Sequence, residues 1–387
     1  MKSLFILFLF SVSPSAFAVD AGDGSDGACT DATFTAAPAR RSFQCTTLTI
    51  SGALNFQGQS GSAFLIKSKG NVSITGSFDI SGSAGANGGD GSAHTGGGAG
   101  PGGGAGGNST INANGTNGSG AGAGGLGSAV TIDPTGVTVH GGGGGGGSYK
   151  TVAAAVATVG ENGAGAGDVP GTAGSNGTVY GSEASFDSSF VGGSGGGGGG
   201  AANDTNAPAT FSGSSGGGGG GAIRIISGGD ITVDGSILSN GGSGGGVFGT
   251  QSAGGGGAGS GGAIWLQAAG SLTISATATL STVGGTGGQN DSGVNGLGGD
   301  GGEGRIRLDD GDGIINIVGG STISTTPYST SFALSTTTPI TAARQYSSSI
   351  SCAKVTEEHH QKNFVINLIL GLGIAAVIHL LSSKRKA

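Results

Sequence analysis

Short apolar phrases with a period of two recur along this chain, and glycine-rich runs separate them. Leu48-Thr49-Ile50, Phe64-Leu65-Ile66, Val72-Ser73-Ile74, Val130-Thr131-Ile132 and Val137-Thr138-Val139 each place two apolar side chains on one face and a different residue opposite. Gly, Ser, Asn and Asp bound these phrases, which is the punctuation of strands and turns. In the second half the pattern becomes a repeat. Ala222-Ile223-Arg224-Ile225 is followed by Ala263-Ile264-Trp265-Leu266 and then by Arg305-Ile306-Arg307-Leu308. Their anchors Ile223, Ile264 and Ile306 are spaced by 41 and then 42 residues. Each leads to a second phrase: Ile231-Thr232-Val233, Leu272-Thr273-Ile274 and Ile315-Asn316-Ile317. Leu238, Leu280 and Ile323 carry a third, shorter patch. A fixed period in this range marks an array in which each unit buries its apolar face against the next.

The pattern predicts an all-β fold, a parallel β-helix or solenoid with glycine-rich loops spanning 46–320. If the units stack in register, Ile223, Ile264 and Ile306 line an internal column beside Ile225, Leu266 and Leu308. Arg224, Trp265 and Arg307 then align on the opposite face, where two guanidinium groups flank the indole. Thr232, Thr273 and Asn316 make a polar ladder. Helices are disfavoured by so much glycine; Thr151 to Val159, rich in Ala and Val, is the one stretch that reads as helical.

Composition explains the spaces between phrases. Of 387 residues 94 are glycine and only 8 proline, with no strict Gly-X-Y period, so collagen is excluded. The tracts 141–147, 195–200 and 216–221 have no side chains to bury, and ordering glycine costs more backbone entropy than ordering any other residue. Two readings stand: flexible loops, or extended left-handed segments that stack closely because no Cβ intervenes. Recurrence of the tracts at similar places in successive units favours stacks. Phosphate-binding loops are not indicated, because no tract ends in the lysine-plus-hydroxyl pair that such a loop requires. With 15 basic and 22 acidic residues, the formal net charge of -7 argues against a basic nucleic-acid surface.

The ends predict a location. Residues 1–18 combine Lys2, an apolar run from Leu4 to Phe10 and the small-x-small triplet Ala16-Phe17-Ala18, the pattern of a secretory signal peptide. Residues 364–381 are apolar and about 27 Å long as a helix, enough to cross the hydrocarbon core. The basic tail 382–387, with Lys384, Arg385 and Lys386, would stay cytoplasmic and put the body outside. Between these ends, 19–45 reads as an N-terminal cap and 321–363, rich in Ser and Thr, as a stalk. Cys29 and Cys45 stand ahead of the first strand of an exported chain and predict a disulfide that caps the first rung near Leu48 and Ile50. Cys352 is the odd cysteine, a candidate for an intermolecular bridge, lipidation or processing.

Glycine tracts alternating with GGAIxL-type strands, a two-cysteine cap and a signal peptide resemble the glycine-rich repeat proteins of bacterial envelopes. The resemblance covers about 46–320 and implies a parallel β-helix. The tail, with Cys352, an apolar helix and a basic cluster, is similar in plan to cysteine-containing C-terminal sorting tags of myxobacteria and related predators. Cys352 is not adjacent to the helix, and no LPxTG or PEP motif is present, so inner-membrane anchoring stays open beside sorting to the outer surface.

Signs of chemistry are few. Asp309, Asp310 and Asp312 form the densest carboxylate cluster, on a glycine-permitted turn that could offer oxygens to calcium. No Glu closes an EF-hand loop there, and solvated turn aspartates are the preferred reading, with calcium the weaker one. The histidines show no ligand spacing, and no nucleophile elbow is present. The expectation is therefore an exported, membrane-anchored structural or adhesive surface protein that needs no cofactor. Its partners would be the membrane, through the C-terminal helix, and an envelope or host-surface glycan or protein, met through Arg224, Trp265 and Arg307. The other reading is a carbohydrate-active β-helix enzyme, a polysaccharide lyase or hydrolase. Such an enzyme needs a groove lined by carboxylates, basic residues and aromatic platforms.

Overall fold

The computed structural model describes residues 20–132, 141–152, 171–182, 186, 190–204, 210–247, 253–289, 296–329 and 333–335. Residues 1–18, read above as a signal peptide, Val137-Thr138-Val139, most of Thr151–Val159, Cys352, residues 364–381 and the basic tail lie outside them. Among the described residues no helix is long and apolar enough to cross a membrane.

Three parallel sheets wrap an apolar interior in a β-helix-like coil. The first coils are built from β1 (Ala28–Cys29), β2 (Ser42–Cys45), β3 (Thr47–Ile50), β4 (Ala53–Asn55), β5 (Phe64–Ser68), β6 (Val72–Ile74) and β7 (Ser77–Asp79). After a long excursion that holds β8 (Val130–Ile132), β9 (Ala202–Asp204) and β10 (Thr210–Phe211), coiling resumes with β11 (Ala222–Ser227), β12 (Ile231–Val233) and β13 (Ser236–Leu238). The next turn is β14 (Ala263–Ala268), β15 (Leu272–Ile274) and β16 (Thr279–Ser281), followed by β17 (Arg305–Asp310), β18 (Ile314–Ile317) and β19 (Thr322–Ile323). Two short strands finish it, β20 (Tyr328–Ser329) and β21 (Ala333–Ser335). One sheet orders β2-β5-β11-β14-β17-β20, a second β1-β3-β6-β12-β15-β18-β21, and a third β4-β7-β13-β16-β19.

The predicted register is present. Ile223 pairs with Ile264 and Ile264 with Ile306, while Ile225, Leu266 and Leu308 form the neighbouring row. Thr232, Thr273 and Asn316 align in the second sheet. These apolar rows join the core, where every member from Ile223 to Leu308 is fully buried.

Two expectations are corrected. The coil is not continuous over 46–320: β5 pairs directly with β11, so residues 80–221 leave it and return. Nor does it stop at residue 320, because β19, β20 and β21 extend all three sheets into the segment read as stalk.

The excursion, and the glycine runs that follow β13 and β16, form stacked extended segments. Segment 212–222 shows the rule. The N–H groups of Ser214, Gly217 and Gly220 donate to the carbonyls of Gly254, Gly257 and Ser260. Those of Ser215, Gly218 and Gly221 go to Ala86, Ser83 and Ile80, and those of Gly216, Gly219 and Ala222 to Gly107, Gly104 and Pro101. Its carbonyls accept from three further stretches, within 193–199, 97–100 and 242–245. A strand would divide its bonds by twos; division by threes is the signature of a polyproline-II-type helix, which makes no internal hydrogen bonds. Buried Gly171, Gly174 and Gly177 alternate with exposed Thr172, Ser175 and Thr178, the same period read from the surface. The stacked-segment reading of the tracts is therefore the one realised.

The N-terminal end is closed by α1 (Asp31–Ala36), which the sequence reading missed. Phe34 lies over Phe43 at 4.6 Å and Phe78 at 5.6 Å between ring centroids, filling the mouth of the coil. Cys29 and Cys45 are joined as a disulfide, and β1 pairs Cys29 with Leu48, the first apolar position of β3. Edge groups are blunted by side chains. Asp26 accepts from the Gln44 amide and holds Arg40 through both oxygens, and Arg40 keeps the Asp26 carboxyl below its ordinary range. Asp31 accepts from the amides of Ser51 and Gly52. Unpaired strand edges invite further strands, and these contacts occupy them.

Two outcomes follow for denaturation experiments. A Cβ on Gly217 would overlap the Gly242 carbonyl oxygen, so Gly217→Ala should cost about 1–3 kcal/mol or more, whereas the exposed Thr286→Ala should change stability by no more than about 0.5 kcal/mol. Equal midpoints for the two variants would contradict the close-packed arrangement. The pair Cys29→Ser and Cys45→Ser should lower stability by roughly 3 kcal/mol, the value for closing a loop of this length. An unchanged urea midpoint would show that the cap holds without its bridge.

Candidate functional site

A column of arginines and rings stands on the outer face of the first sheet. Strand alternation puts Ile264 and Leu266 inside, so Trp265 must point out, and parallel register brings Arg224 and Arg307 to either side of it. One further step along the column is Tyr328. The Arg224 guanidinium carbon is 3.5 Å from the indole centroid, that of Arg307 is 4.5 Å from it, and Arg307 is 5.7 Å from the Tyr328 ring. Cation and ring thus alternate along the sheet. Each such contact contributes about 0.5–1 kcal/mol when exposed and about 2 when desolvated.

Asp309 completes the arrangement. The indole Nε1 donates to its Oδ2 at 2.7 Å, and Arg307 Nε donates to the same oxygen at 2.9 Å. Arg224 Nη2 donates to Gln267 Oε1 at 2.9 Å. The aspartate and Gln267 occupy the next outward column of the same sheet, two residues beyond Arg307 and Trp265.

The sequence reading put Arg224, Trp265 and Arg307 on an exposed contact surface. That is corrected for Trp265, which is 0% exposed, and Arg307, 7%, while Arg224 stays partly exposed. The excursion returns over the indole. Phe186 and Phe190 lie 5.8 and 6.0 Å from the indole, and Tyr149 joins the same buried cluster. Arg305 reaches into the cover, donating to the carbonyls of Tyr180 and Gly181 at 2.9 Å and sitting 5.1 Å from the Tyr149 ring. Tyr149 and Tyr180 stack at 4.7 Å, and their hydroxyls donate to the carbonyls of Val191 and Gly192. Burial pushes the Tyr180 phenol up to about 12, so it remains a donor at neutral pH. Sequence reasoning found the column but not Arg305, Tyr149, Tyr180, Phe186 or Phe190. The available signal was the chain's single tryptophan set between two arginines on an outward face.

The reading of Asp309, Asp310 and Asp312 as solvated turn aspartates is corrected for Asp309, which is buried and lies in β17. Successive residues of β17 point to opposite faces, so Asp309 turns to Trp265 and Arg307. Asp310 accepts from the amides of Leu272, Asp312 and Gly313. Among the described residues, no three His, Cys, Asp or Glu side chains gather as a metal site. Asp309 and Asp310 are thus spent on groups of the coil itself.

No protein-family model, curated protein or solved structure matches this chain.

Trp265 is the chain's single tryptophan, which makes its burial measurable. Its emission should be blue-shifted and shielded from iodide, and Trp265→Ala should cost about 3–5 kcal/mol as a large-to-small core change. Emission like that of free indole in water would place the ring outside the cover.

Proposed function

We propose that this protein is an exported, membrane-anchored structural or adhesive surface protein, a glycine-rich β-solenoid of the kind found in bacterial envelopes. The observation that carries the proposal is the destination of its polar groups. Segment 212–222 spends successive backbone N–H groups on three neighbours, and Trp265, held by Arg224, Arg307 and Asp309, is covered by Phe186 and Phe190. A body whose polar groups serve its own cohesion is suited to being a rigid, display-bearing spacer. The signal-peptide pattern of 1–18 and the apolar run 364–381 with its basic tail supply export and anchoring in the same orientation. Cys352, ahead of that run, is the position for processing or lipidation if the tail is a sorting tag. The surface partner would be an envelope or host glycan or protein, with no nucleic acid involved.

Proteolysis of intact cells followed by mass spectrometry tests the proposal. Peptides from the exposed face of 171–178 should be released, and Leu370→Arg with Ile374→Arg should send the body into the soluble fraction. A body protected in intact cells, or unchanged fractionation of the arginine variant, would refute surface display or anchoring respectively.

A further inference from the structure

Six large apolar side chains stand exposed among the described residues, and four of them surround the aromatic cover. Val152, Val179 and Val191 are 53, 46 and 40% exposed and Tyr328 is 41% exposed; the other two are Ile111 and Val283. Hydrogen bonds draw the four together. Val179 precedes Tyr180, whose amide donates to the Tyr149 carbonyl at 3.2 Å, and Tyr149 Oη donates to the Val191 carbonyl at 2.9 Å. Lys150, between Tyr149 and Val152, extends its Nζ to the Thr326 carbonyl at 2.9 Å, two residues before Tyr328. Single surface hydrophobics need no explanation, but here four are carried by segments that these bonds tie to one buried cluster.

We propose that this patch rests on a lipid bilayer, an inference that depends on the anchoring role of 364–381. Its composition fits the interfacial zone. Branched valines are small enough to enter only the outer acyl boundary, Tyr328 has an apolar body with a polar tip, and Lys150 places an ammonium within reach of headgroup phosphates. A protein partner fits less well, because stable interfaces take on the order of 20–30 residues a side. Four side chains are few for an untethered protein, but tethering converts weak contact into an intramolecular event at high effective concentration. The residues between Ser335 and the apolar run at 364 would be that tether. The firm mounting of the patch follows from the structure beneath it: Tyr149 is buried, and the Arg305 guanidinium holds the Tyr180 and Gly181 carbonyls.

The test uses the full chain in phosphatidylcholine vesicles. Cys352→Ser removes the odd thiol, and an environment-sensitive fluorophore is attached through Val179→Cys or, as the control, through Thr116→Cys on an exposed part of the outer glycine layer. The expected result is a blue shift at position 179 that a lipid-borne nitroxide quenches, with neither effect at position 116. Adding Val152→Asp and Val191→Asp should abolish the shift while the protein still floats with vesicles. Flotation without a shift at 179 overturns the patch proposal alone. A shift that the nitroxide does not quench, and that vanishes at one copy per vesicle, assigns the surface to protein contact and also overturns it. Failure to float removes the anchor and this inference together.

Discussion

The closeness with which one backbone can approach another governs this molecule. In the layered segments the N–H of one chain meets the carbonyl of the next at ordinary hydrogen-bond length, with no side chain between them. A Cβ on Gly217 would stand inside the Gly242 carbonyl, and one on Gly259 inside that of Gly218. Ordering glycine is entropically expensive, and these segments bury little apolar surface to offset it. Their cohesion comes from hydrogen bonds made to several neighbours at once. Each residue of 214–222 is therefore tied to a different part of the sequence from the residue before it.

Such layers could not stand without an edge to grow from, and the coil supplies it. Its core is conventional: rows of Ile, Leu, Val and Phe stacked in parallel register, with β13 and β16 delivering the chain into glycine segments. The segments that follow β7, β13 and β16 inherit the alignment of those strands. Gly85 donates to Ser243 and Gly244 to Thr286, continuing the order of the third sheet where the strands have ended. A twofold pattern thus gives way to a threefold one without loss of register.

Between coil and layers stands the Arg–Trp–Arg column. Three arginines on one face would be costly beneath an apolar cover if their donors were idle. Here Asp309, Gln267 and the carbonyls of Tyr180 and Gly181 accept from them, and rings flank the guanidinium planes. Arginines and rings are thus grouped where the excursion is fastened to the coil. The same logic closes the N-terminus, where Phe34 plugs the core and Asp26 and Asp31 occupy free strand amides.

Much of this was legible in the sequence because local rules decide it. The period of 41 and 42 residues determined the pairing of Ile223 with Ile264 and Ile306, and alternation put Trp265 outside the core with arginines beside it. The presence of just two cysteines, Cys29 and Cys45, ahead of the first apolar phrase Leu48-Thr49-Ile50 made their bridge legible. Three things were decided only by tertiary structure. Whether Trp265 is open or covered depends on Phe186 and Phe190, which come from a segment far away in sequence and carry no repeat signal. That β5 adjoins β11 is invisible to a period search, because a strand pair is indifferent to the length of chain between its members. Lastly, a glycine tract carries no side-chain pattern from which its neighbours could be read. Its partners are chosen by backbone geometry alone, and that exists only once the chain has folded.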